Sequence, residues 1–331
     1  MTQPTSETDF KVIQAKGTAV VQLPPRLIVL EAVAFKQTFQ QLLQDNSVPE
    51  KIIFDFSKTT FIDSSGVGAL VSNLKHARQE GIPLLLRGVT PPVKAVLSLT
   101  GLDQVLTFEA DKETSTTTAK VSETLLPTTH PSVRSRIKRF LDILGSIVGL
   151  VLTSIVFLPI VIAIKLDSPG PIFFSQTRLG WMGKPFKIWK FRSMCVDAEA
   201  LKEQIENQAD GKVFKNENDP RITKVGRFLR KTSLDELPQF WNVLKGEMSL
   251  VGTRPPTPNE VDIYEVPEWQ RLDVKPGMTG EWQVNGRSSI KEFEDIIKLD
   301  LRYQQNWNLL YDLKLIIKTI LVVFNKESGA V

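Results

Sequence analysis

Short apolar runs and segments of helical periodicity alternate along residues 8–110. The predicted strands are residues 18–23, 51–56 and 83–89. The predicted helices are residues 34–43, 66–78 and 91–99. Because alternation of this kind is typical of helices packed on a sheet, the first part of the chain is predicted to be an α/β domain.

The longest hydrophobic run spans residues 143–164 and contains no charged residue. At about 1.5 Å per residue, a helix of this length could cross a hydrocarbon core of about 30 Å. Similar numbers of basic residues flank its two ends, whereas a spanning helix normally shows an asymmetry. Pro159 removes a helical hydrogen bond and favours a kink. We therefore expect a membrane helix over about residues 140–165 that returns to the same face, with a buried core helix as the alternative.

Residues 111–132 separate two parts of the chain that differ in composition. Ten of these 22 residues are Ser or Thr, and such a segment buries too little apolar surface to offset its ordering entropy. We predict a flexible linker here, with one domain at residues 8–110 and another at 133–331. Within the second domain, the apolar segment 311–324 is interrupted by Lys314 and Lys318, which is typical of an interfacial or packing helix.

Composition and charge exclude several functions. The single cysteine, Cys195, cannot build a disulfide framework or a cysteine zinc site, and two histidines leave no histidine-rich metal site. The formal net charge is +4, and a nucleic-acid-binding protein would usually have a denser basic face, so we expect no nucleic-acid partner. Basic residues concentrate just before the apolar run, where they would lie at a membrane surface: Arg134, Arg136, Lys138 and Arg139.

Two adjacent acidic residues, Asp235 and Glu236, are candidates for chemistry. They could simply begin a helix, because acidic residues complement the dipole of the first turn. Ser233 and Glu236 also match a capping box, but Pro238 would then lie at the fifth helical position, where its ring interferes. A helix that begins near Asp235 fits better and leaves two like charges at its tip. Arg230, Lys231 or a metal ion could neutralise them.

Residues 61–70 carry a second candidate motif, FIDSSGVGAL. Asp63 or Ser64 could cap the following helix, because such side chains accept hydrogen bonds from its free N–H groups. The surrounding pattern resembles the STAS family, the fold of anti-sigma factor antagonists, in the strand before DSSG, the helix after it, the strand at 83–89 and the later PVK and GLD segments. The resemblance covers about 90 residues and implies a STAS-like sheet with packed helices and a regulatory role.

In that family, a partner kinase can phosphorylate a serine at the DSSG position. The resemblance therefore implies that Ser64, with Ser65 second, is a candidate for regulatory phosphorylation, and that a kinase or regulatory protein is a possible partner. A phosphate there would lie at a helix N-terminus, where the dipole favours negative charge, and its added charge could repel a binding partner.

Five blocks of sequence appear in order around the acidic pair. They are KRFLD at 138–142, SPGPIFFSQTRLG at 168–180, FKIWKFRSM at 186–194, MSLVGTRP at 248–255 and KPGMTGEWQVNGR at 275–287. With RKTSLDELPQFWNVLKG at 230–246, they resemble the bacterial sugar transferases, which are monotopic polyprenyl-phosphate sugar-1-phosphate transferases. The resemblance spans about residues 136–326, and several ordered blocks are a far more specific signal than any one of them.

The resemblance implies a mainly helical, membrane-associated phosphoglycosyl transferase with a re-entrant helix. Asp235 would attack the β-phosphate of a UDP-sugar, expel UMP and hold a covalent phosphosugar, which undecaprenyl phosphate would then accept. It also implies Mg²⁺, with Glu236 as the metal-associated acid. The positions that match the family's substrate-binding residues are Lys190, Arg230, Arg254, Arg287 and Asp300.

Two positions depart from the family pattern. Thr253 stands where a proline is common, and the helix break is Leu158–Pro159 rather than Ser-Pro. A leucine cannot bond the carbonyl that Pro159 frees, so the re-entrant path is less firmly held. Asp312 matches a further acid of the family, but its place on an amphipathic segment favours a structural ion pair.

Together these features predict an enzyme of the bacterial inner membrane that contacts membrane lipid and begins assembly of an exopolysaccharide or another lipid-linked glycan. Both soluble parts would face the cytoplasm, where UDP-sugars are made. The alternative is a membrane-tethered STAS-type regulatory protein with a degenerate transferase domain, and the intact Asp235–Glu236 pair counts against it. The motifs fit a galactose, glucose or N-acetylated sugar donor equally.

Overall fold

The computed structural model describes most of the chain and divides it into two compact units. The described residues are 10–44, 48–109, 126–201, 205, 207–208, 216, 218–285 and 292–324. The first unit contains the described residues up to Thr129 together with two short segments from later in the chain, Met182–Lys184 and Tyr264–Asp273. The second unit contains the other described residues from His130 onward. The predicted linker lies outside the described residues up to residue 125.

A mostly parallel sheet forms the base of the first unit. The strands of this unit are β1 Val12–Ala15, β2 Thr18–Gln22, β3 Arg26–Leu27, β4 Lys51–Asp55, β5 Phe61–Ile62, β6 Leu84–Arg87 and β7 Thr107–Phe108. Among the described residues, five of them pair in the order β1–β2–β4–β6–β7, with β1 antiparallel to β2 and the others parallel. Strands β3 and β5 pair with each other.

Three helices of the first unit follow from the periodicity of its sequence. They are α1 Val29–Gln44, α2 Ser64–Gln79 and α3 Pro91–Thr100. On α1, the buried residues Phe35 and Phe39 lie one turn apart, and both rings contact Phe54 of β4 with centroids 4.7 and 5.9 Å away. Aromatic pairs at such distances stabilise a core beyond the area that they bury. The predicted α/β fold is confirmed.

The second unit is mainly helical, as predicted. In chain order its elements are α4 Pro131–Arg134, α5 Arg136–Asp167, β8 Phe173–Leu179, β9 Pro185–Phe191, α6 Lys224–Lys231, α7 Gln239–Lys245, β10 Ser249–Val251, α8 Pro258–Val261, β11 Gly277–Thr279, α9 Glu281–Val284, α10 Phe293–Asn306 and α11 Leu309–Phe324. Strands β8 and β9 form an antiparallel pair, and β10 and β11 form a short parallel pair.

Helix α5 is, among the described residues, the one helix long and apolar enough to cross a membrane. Its 32 residues include the predicted range 140–165 and continue through Pro159 as one helix, so the re-entrant path stays a prediction. The buried residues recur at spacings of three, four and seven and therefore share one face: Lys138, Asp142, Ser146, Gly149, Thr153, Ile160 and Ile164. Large apolar side chains elsewhere on the helix, such as Ile155 and Leu158, are exposed.

The buried face of α5 contacts the second unit along its whole length. Near its start, Asp142 accepts hydrogen bonds from the Ser249 hydroxyl and the Leu250 N–H group, both at 2.9 Å. Midway, Gly149 lies so close to the Phe240 ring that an added Cβ would approach it to 2.5 Å. Near its end, Ile160 packs in a cluster with residues of β9 and α6.

A buried ion pair ties α5 to the last described helix. The Lys138 ammonium group lies 2.6 Å from Asp312 and also donates to the Val251 carbonyl at 3.0 Å. Asp312 accepts two further hydrogen bonds, from the Tyr303 hydroxyl at 2.8 Å and the Trp307 indole at 3.1 Å. The prediction that Asp312 forms a structural ion pair is confirmed, and breaking such a buried pair typically costs about 3–5 kcal/mol.

Candidate active site

The acidic pair lies on a tight turn between α6 and α7. A 3₁₀ turn at Leu234–Glu236 follows Ser233, whose backbone adopts a left-handed conformation (φ 56°) without a capping hydrogen bond from its side chain. The capping-box alternative is therefore wrong, and the prediction of a helical start near Asp235 is confirmed. Left-handed backbone at a residue other than glycine costs about 1–3 kcal/mol and tends to occur at functional sites.

Asp235 and Glu236 have different surroundings on this turn. Asp235 is buried, with 6% of its surface exposed. Glu236 is half-buried, and its Oε1 accepts a hydrogen bond from the Lys190 ammonium group of β9 at 2.8 Å. The structure thus brings together two residues 46 positions apart, for which the family resemblance implies metal binding and substrate binding. A positive charge is in place beside the pair, as the electrostatics of adjacent carboxylates require.

Arg254 is held by a carboxylate on the neighbouring short helix. Both of its terminal nitrogens donate to Glu260, at 2.9 and 3.1 Å, and Glu260 also completes a capping box with Thr257 at the start of α8. Burial tends to raise the pKa of Glu260, but the guanidiniums of Arg254 and Arg178 and the Thr257 N–H group together outweigh it, so this pKa lies below its usual value. Bidentate pairing of this kind fixes the orientation of a guanidinium.

A second guanidinium, that of Arg178, lies within electrostatic range of Arg254 and Glu236. It donates to the Pro255 carbonyl at 3.0 Å and to the Gln176 side chain at 2.7 Å. Burial, and then the nearby charge of Arg254, lower the pKa of Arg178 to about 10. Sequence reasoning assigned Arg178 no role, although it stands in the block SPGPIFFSQTRLG. Two guanidiniums and an ammonium group near a carboxylate are suited to binding phosphate.

The loop that carries Arg254 is held by backbone pairing. Thr253, at the position where a proline is common in the family, is buried and forms an isolated parallel bridge with Pro276. Its carbonyl accepts a hydrogen bond from the Gly277 N–H group at 2.8 Å. The departure from the family pattern therefore leaves the loop fixed.

The other predicted substrate-binding residues are placed as follows. Arg230 lies in the last turn of α6, four residues before Leu234, where the turn of the acidic pair begins. Asp300 lies on the buried face of α10, with 1% of its surface exposed. Arg287 lies outside the described residues. The predicted roles of these residues stay predictions.

The donor groups at the turn set a limit on metal binding. Within the described parts of the chain, no group of three or more His, Cys, Asp or Glu side chains could hold a metal ion. Magnesium, however, is commonly held by one or two carboxylates together with substrate phosphates. Glu236, with Asp235 beside it, fits this mode of binding.

Ser64, the predicted phosphorylation site, is the first residue of α2 in the first unit. Asp63 caps this helix and accepts from the Gly66 N–H group at 2.9 Å, so Asp63 rather than Ser64 is the cap. Ser64 itself is fully buried, with its hydroxyl 3.4 Å from the Met182 sulfur. Its N–H group donates to the Asp273 carboxylate at 3.0 Å.

Comparison with known proteins covers both units. The family profile described as "Bacterial sugar transferase" matches residues 133–326, and that of the STAS domain matches residues 9–119. A solved structure of the Bacillus cell fate determinant SpoIIAA in its phosphorylated form is 20% identical, covers 31% of this chain and 94% of its own, and has a TM-score of 0.27.

Named relatives match more than half of the chain. "Galactosyl transferase CpsE" of Streptococcus agalactiae is 53% identical over 56% of this chain and 42% of its own length. "UDP-glucose:undecaprenyl-phosphate glucose-1-phosphate transferase" of Escherichia coli is 42% identical over 62% of this chain and 44% of its own. "Exopolysaccharide production protein ExoY" of Rhizobium meliloti is 40% identical over 55% of this chain and 83% of its own.

The chain thus spans less than half the length of the first two relatives but most of the third. The transferase profile covers more than half of the chain and includes the acidic turn, Lys190 and Arg254. The chain belongs to the bacterial sugar transferase family and carries a STAS domain ahead of its transferase domain.

Proposed function

We propose that this protein transfers a sugar 1-phosphate from a UDP-sugar to undecaprenyl phosphate and releases UMP. The names of the E. coli and R. meliloti relatives support this reaction and a place at the first membrane step of exopolysaccharide or other glycan assembly. The observation that carries the proposal is the contact between Lys190 and Glu236 beside the buried Asp235. In this proposal, Asp235 is the nucleophile, and an acidic side chain and a cation lie beside it.

In the first step, a carboxylate oxygen of Asp235 forms a bond to the β-phosphorus of the UDP-sugar. The bond from that phosphorus to the oxygen bridging to the α-phosphate breaks, and UMP leaves with the bridging oxygen. In the second step, a phosphate oxygen of the lipid bonds to the same phosphorus and the aspartyl oxygen leaves, which regenerates Asp235. A covalent intermediate of this kind divides one difficult displacement into two, and the burial of Asp235 helps to exclude the water that would hydrolyse it.

The basic residues around the turn would bind and orient the phosphates. Lys190 neutralises Glu236 and lies where it can also approach a diphosphate, while Arg254 and Arg178 supply fixed guanidiniums. Phosphoryl transfer depends mainly on such positioning and on stabilisation of negative charge. Arg230, Arg287 and Asp300 are further substrate-binding residues in this proposal.

Mg²⁺ is the cofactor in this proposal, with Glu236 as its protein ligand. A bound magnesium ion would neutralise charge on the diphosphate. Because the described residues offer an acidic pair rather than a larger cluster, the diphosphate itself would complete the coordination.

The protein would act at the cytoplasmic face of the bacterial inner membrane, as a monotopic protein. Helix α5 contacts β10 near its start, and it contacts β9 and α6 near its end. The same folded unit therefore packs against both ends of the helix. A helix that crossed the bilayer would carry one of these contacts to the opposite side. Helix α11 adds exposed apolar side chains in a stripe that suits the interface with membrane lipid: Leu310, Leu313, Ile317, Ile320 and Leu321.

The STAS domain would regulate the transferase, with Ser64 as its phosphorylation site and a kinase or regulatory protein as its partner. A kinase would form a bond from the Ser64 hydroxyl oxygen to the γ-phosphorus of a nucleoside triphosphate. The hydroxyl proton would pass to a base, and a nucleoside diphosphate would leave. The position of Ser64 at the start of α2 supports this role, because a helix N-terminus accommodates a phosphate.

The test is UMP release by the purified full-length protein in detergent. Undecaprenyl phosphate, Mg²⁺ and a panel of UDP-galactose, UDP-glucose and UDP-N-acetyl sugars would be supplied. Release that requires both the lipid and the metal is expected, and the preferred donor would identify the sugar. If folded protein released no UMP with any donor in the panel, the proposed reaction would be overturned in favour of a membrane-tethered regulatory protein.

A further inference from the structure

Helices α1 and α2 of the STAS domain bind a segment of the transferase sequence within the first unit. This segment, Tyr264–Asp273, contains a 3₁₀ helix at Val266–Asp273 and lies inside the range matched by the transferase profile. Its Trp269 ring lies against Gly68 of α2, so closely that an added Cβ would approach the ring to 2.5 Å. At the other end, Glu265 pairs with Lys36 of α1 at 2.8 Å.

The segment ends at the start of α2 with a carboxylate. Asp273 accepts the Ser64 N–H group at 3.0 Å, while Asp63 of the helix itself accepts the Gly66 N–H group at 2.9 Å. The positive end of a 16-residue helix therefore holds two carboxyl groups, one of them supplied from 209 residues further along the chain. Free N–H groups at a helix N-terminus are a natural site for such groups.

We propose that this face of α1 and α2 is the binding surface of the STAS domain, that its occupant is the chain's own segment Tyr264–Asp273, and that a negative charge on Ser64 releases the segment. Asp273 occupies the helix N-terminus that a phosphate on Ser64 would need. Docking of the segment and phosphorylation of Ser64 therefore exclude each other. In the docked state the Ser64 hydroxyl is fully buried, so a kinase reaches it only after the segment leaves.

The electrostatics of the contact support release by added charge. Burial raises the pKa of Asp63 to about 6. Burial, and then the neighbouring Asp63, raise the pKa of Asp273 to about 7. Because negative charge is already disfavoured at this point, another anionic group adds repulsion at short range. The hydroxyl also lacks room for a phosphate, since the Met182 sulfur is 3.4 Å away.

The link from release to regulation rests on the proposed transferase function, but the binding surface does not. Hydrogen exchange of the full-length protein in detergent, followed by mass spectrometry, therefore tests it without turnover. We expect Ser64→Asp to speed exchange in residues 264–273 at least about tenfold. Ser64→Asn has the same shape without the charge and is expected to have a much smaller effect. Ser98→Asp, on an exposed position of α3, serves as the surface control.

Two further variants separate release from misfolding. Asp273→Asn, added to Ser64→Asp, should restore part of the protection, because it removes the opposing carboxylate. Asp273→Ala, which lies outside the STAS sequence, should speed exchange at the start of α2 while β4 stays protected.

If Ser64→Asp and Ser64→Asn speeded exchange in residues 264–273 equally, the proposal that negative charge releases the segment would be overturned. An Asp273→Ala variant with unchanged exchange at residues 63–70 would overturn the binding surface itself. If neither the wild type nor any variant released UMP, the proposed function would be contradicted, and the proposed binding surface would not be affected.

Discussion

Two pairs of carboxyl groups lie at turns of this protein, and their partners differ. Beside Asp235, Glu236 bonds to the ammonium group of Lys190. Asp63 and Asp273 instead accept backbone N–H groups at the start of α2. The first pair is balanced by a full positive charge and the second by a helix dipole.

These different partners determine how the acidic turn and the start of α2 respond to an added negative charge. Cationic side chains around an acid leave room for an incoming phosphate, because its charge is attracted as it arrives. Burial raises the pKa values of the carboxyl groups at the start of α2, and further negative charge destabilises them. In the proposed mechanism, the transferase unit therefore binds an anion and the STAS domain responds to one.

The largest expected effect is at the nucleophile. Asp235→Asn keeps the shape of the side chain but cannot form the acyl phosphate, so UMP release should fall at least about 10³-fold. The measurement is lipid-dependent UMP release with the preferred UDP-sugar. Asp197→Asn changes an exposed aspartate of the same unit and should leave the rate unchanged. Turnover within tenfold of wild type from folded Asp235→Asn would rule out the covalent mechanism.

Removing the cation from the acidic turn should have the next largest effect. Lys190→Met keeps the apolar stem but loses the charge that faces Glu236, and we expect transfer to slow about 10²-fold. Lys190→Arg, which retains the charge, should recover part of the rate. Lys187→Met, at an exposed position of the same strand, is the matched control. If both variants of Lys190 behave like the control, the cation has no part in transfer.

The smallest expected effect is a pH dependence of the segment's docking. Asp63 and Asp273 have raised pKa values, of about 6 and 7. Stabilisation by a group with a raised pKa is complete below its ordinary pKa, about 4 for an aspartate, and is lost as the pH rises through the raised value. Docking should therefore weaken by about 2 kcal/mol between pH 5 and pH 8.

Protection of residues 264–273 against hydrogen exchange, corrected for the intrinsic pH dependence of exchange, measures this effect. Glu31 of α1 also raises the pKa of Asp63, so Glu31→Gln should shift the transition slightly. Asp273→Asn should flatten most of the dependence, because an amide does not titrate. Protection that increased with pH would contradict the prediction that docking weakens as the pH rises.

Local patterns in the sequence were sufficient for most of the elements. The predicted helix at 34–43 lies within α1, and the predicted strand at 51–56 matches β4 to within a residue. Apolar periodicity and turn residues act over a few positions, so they can be read directly. The same holds for the acidic pair, whose two residues are neighbours in sequence.

Contacts between distant residues could not be read in this way. The pairing of Lys190 with Glu236 depends on how β9 lies against the turn. Arg178 lies within range of Arg254 because the loop after β10 approaches β8. No spacing along the chain encodes these approaches, because they result from the packing of elements.

The sequence by itself determined the two families, the apolar helix and the identity of the acids, since each is a pattern of neighbouring residues. Only the tertiary structure decided that Ser64 is buried against Asp273 and that a segment of transferase sequence belongs to the first unit. The physical reason is that complementary surfaces form only after the elements fold. The Trp269 ring packs directly against the backbone of Gly68, where there is no room for a side chain. Neither residue indicates the other in the sequence.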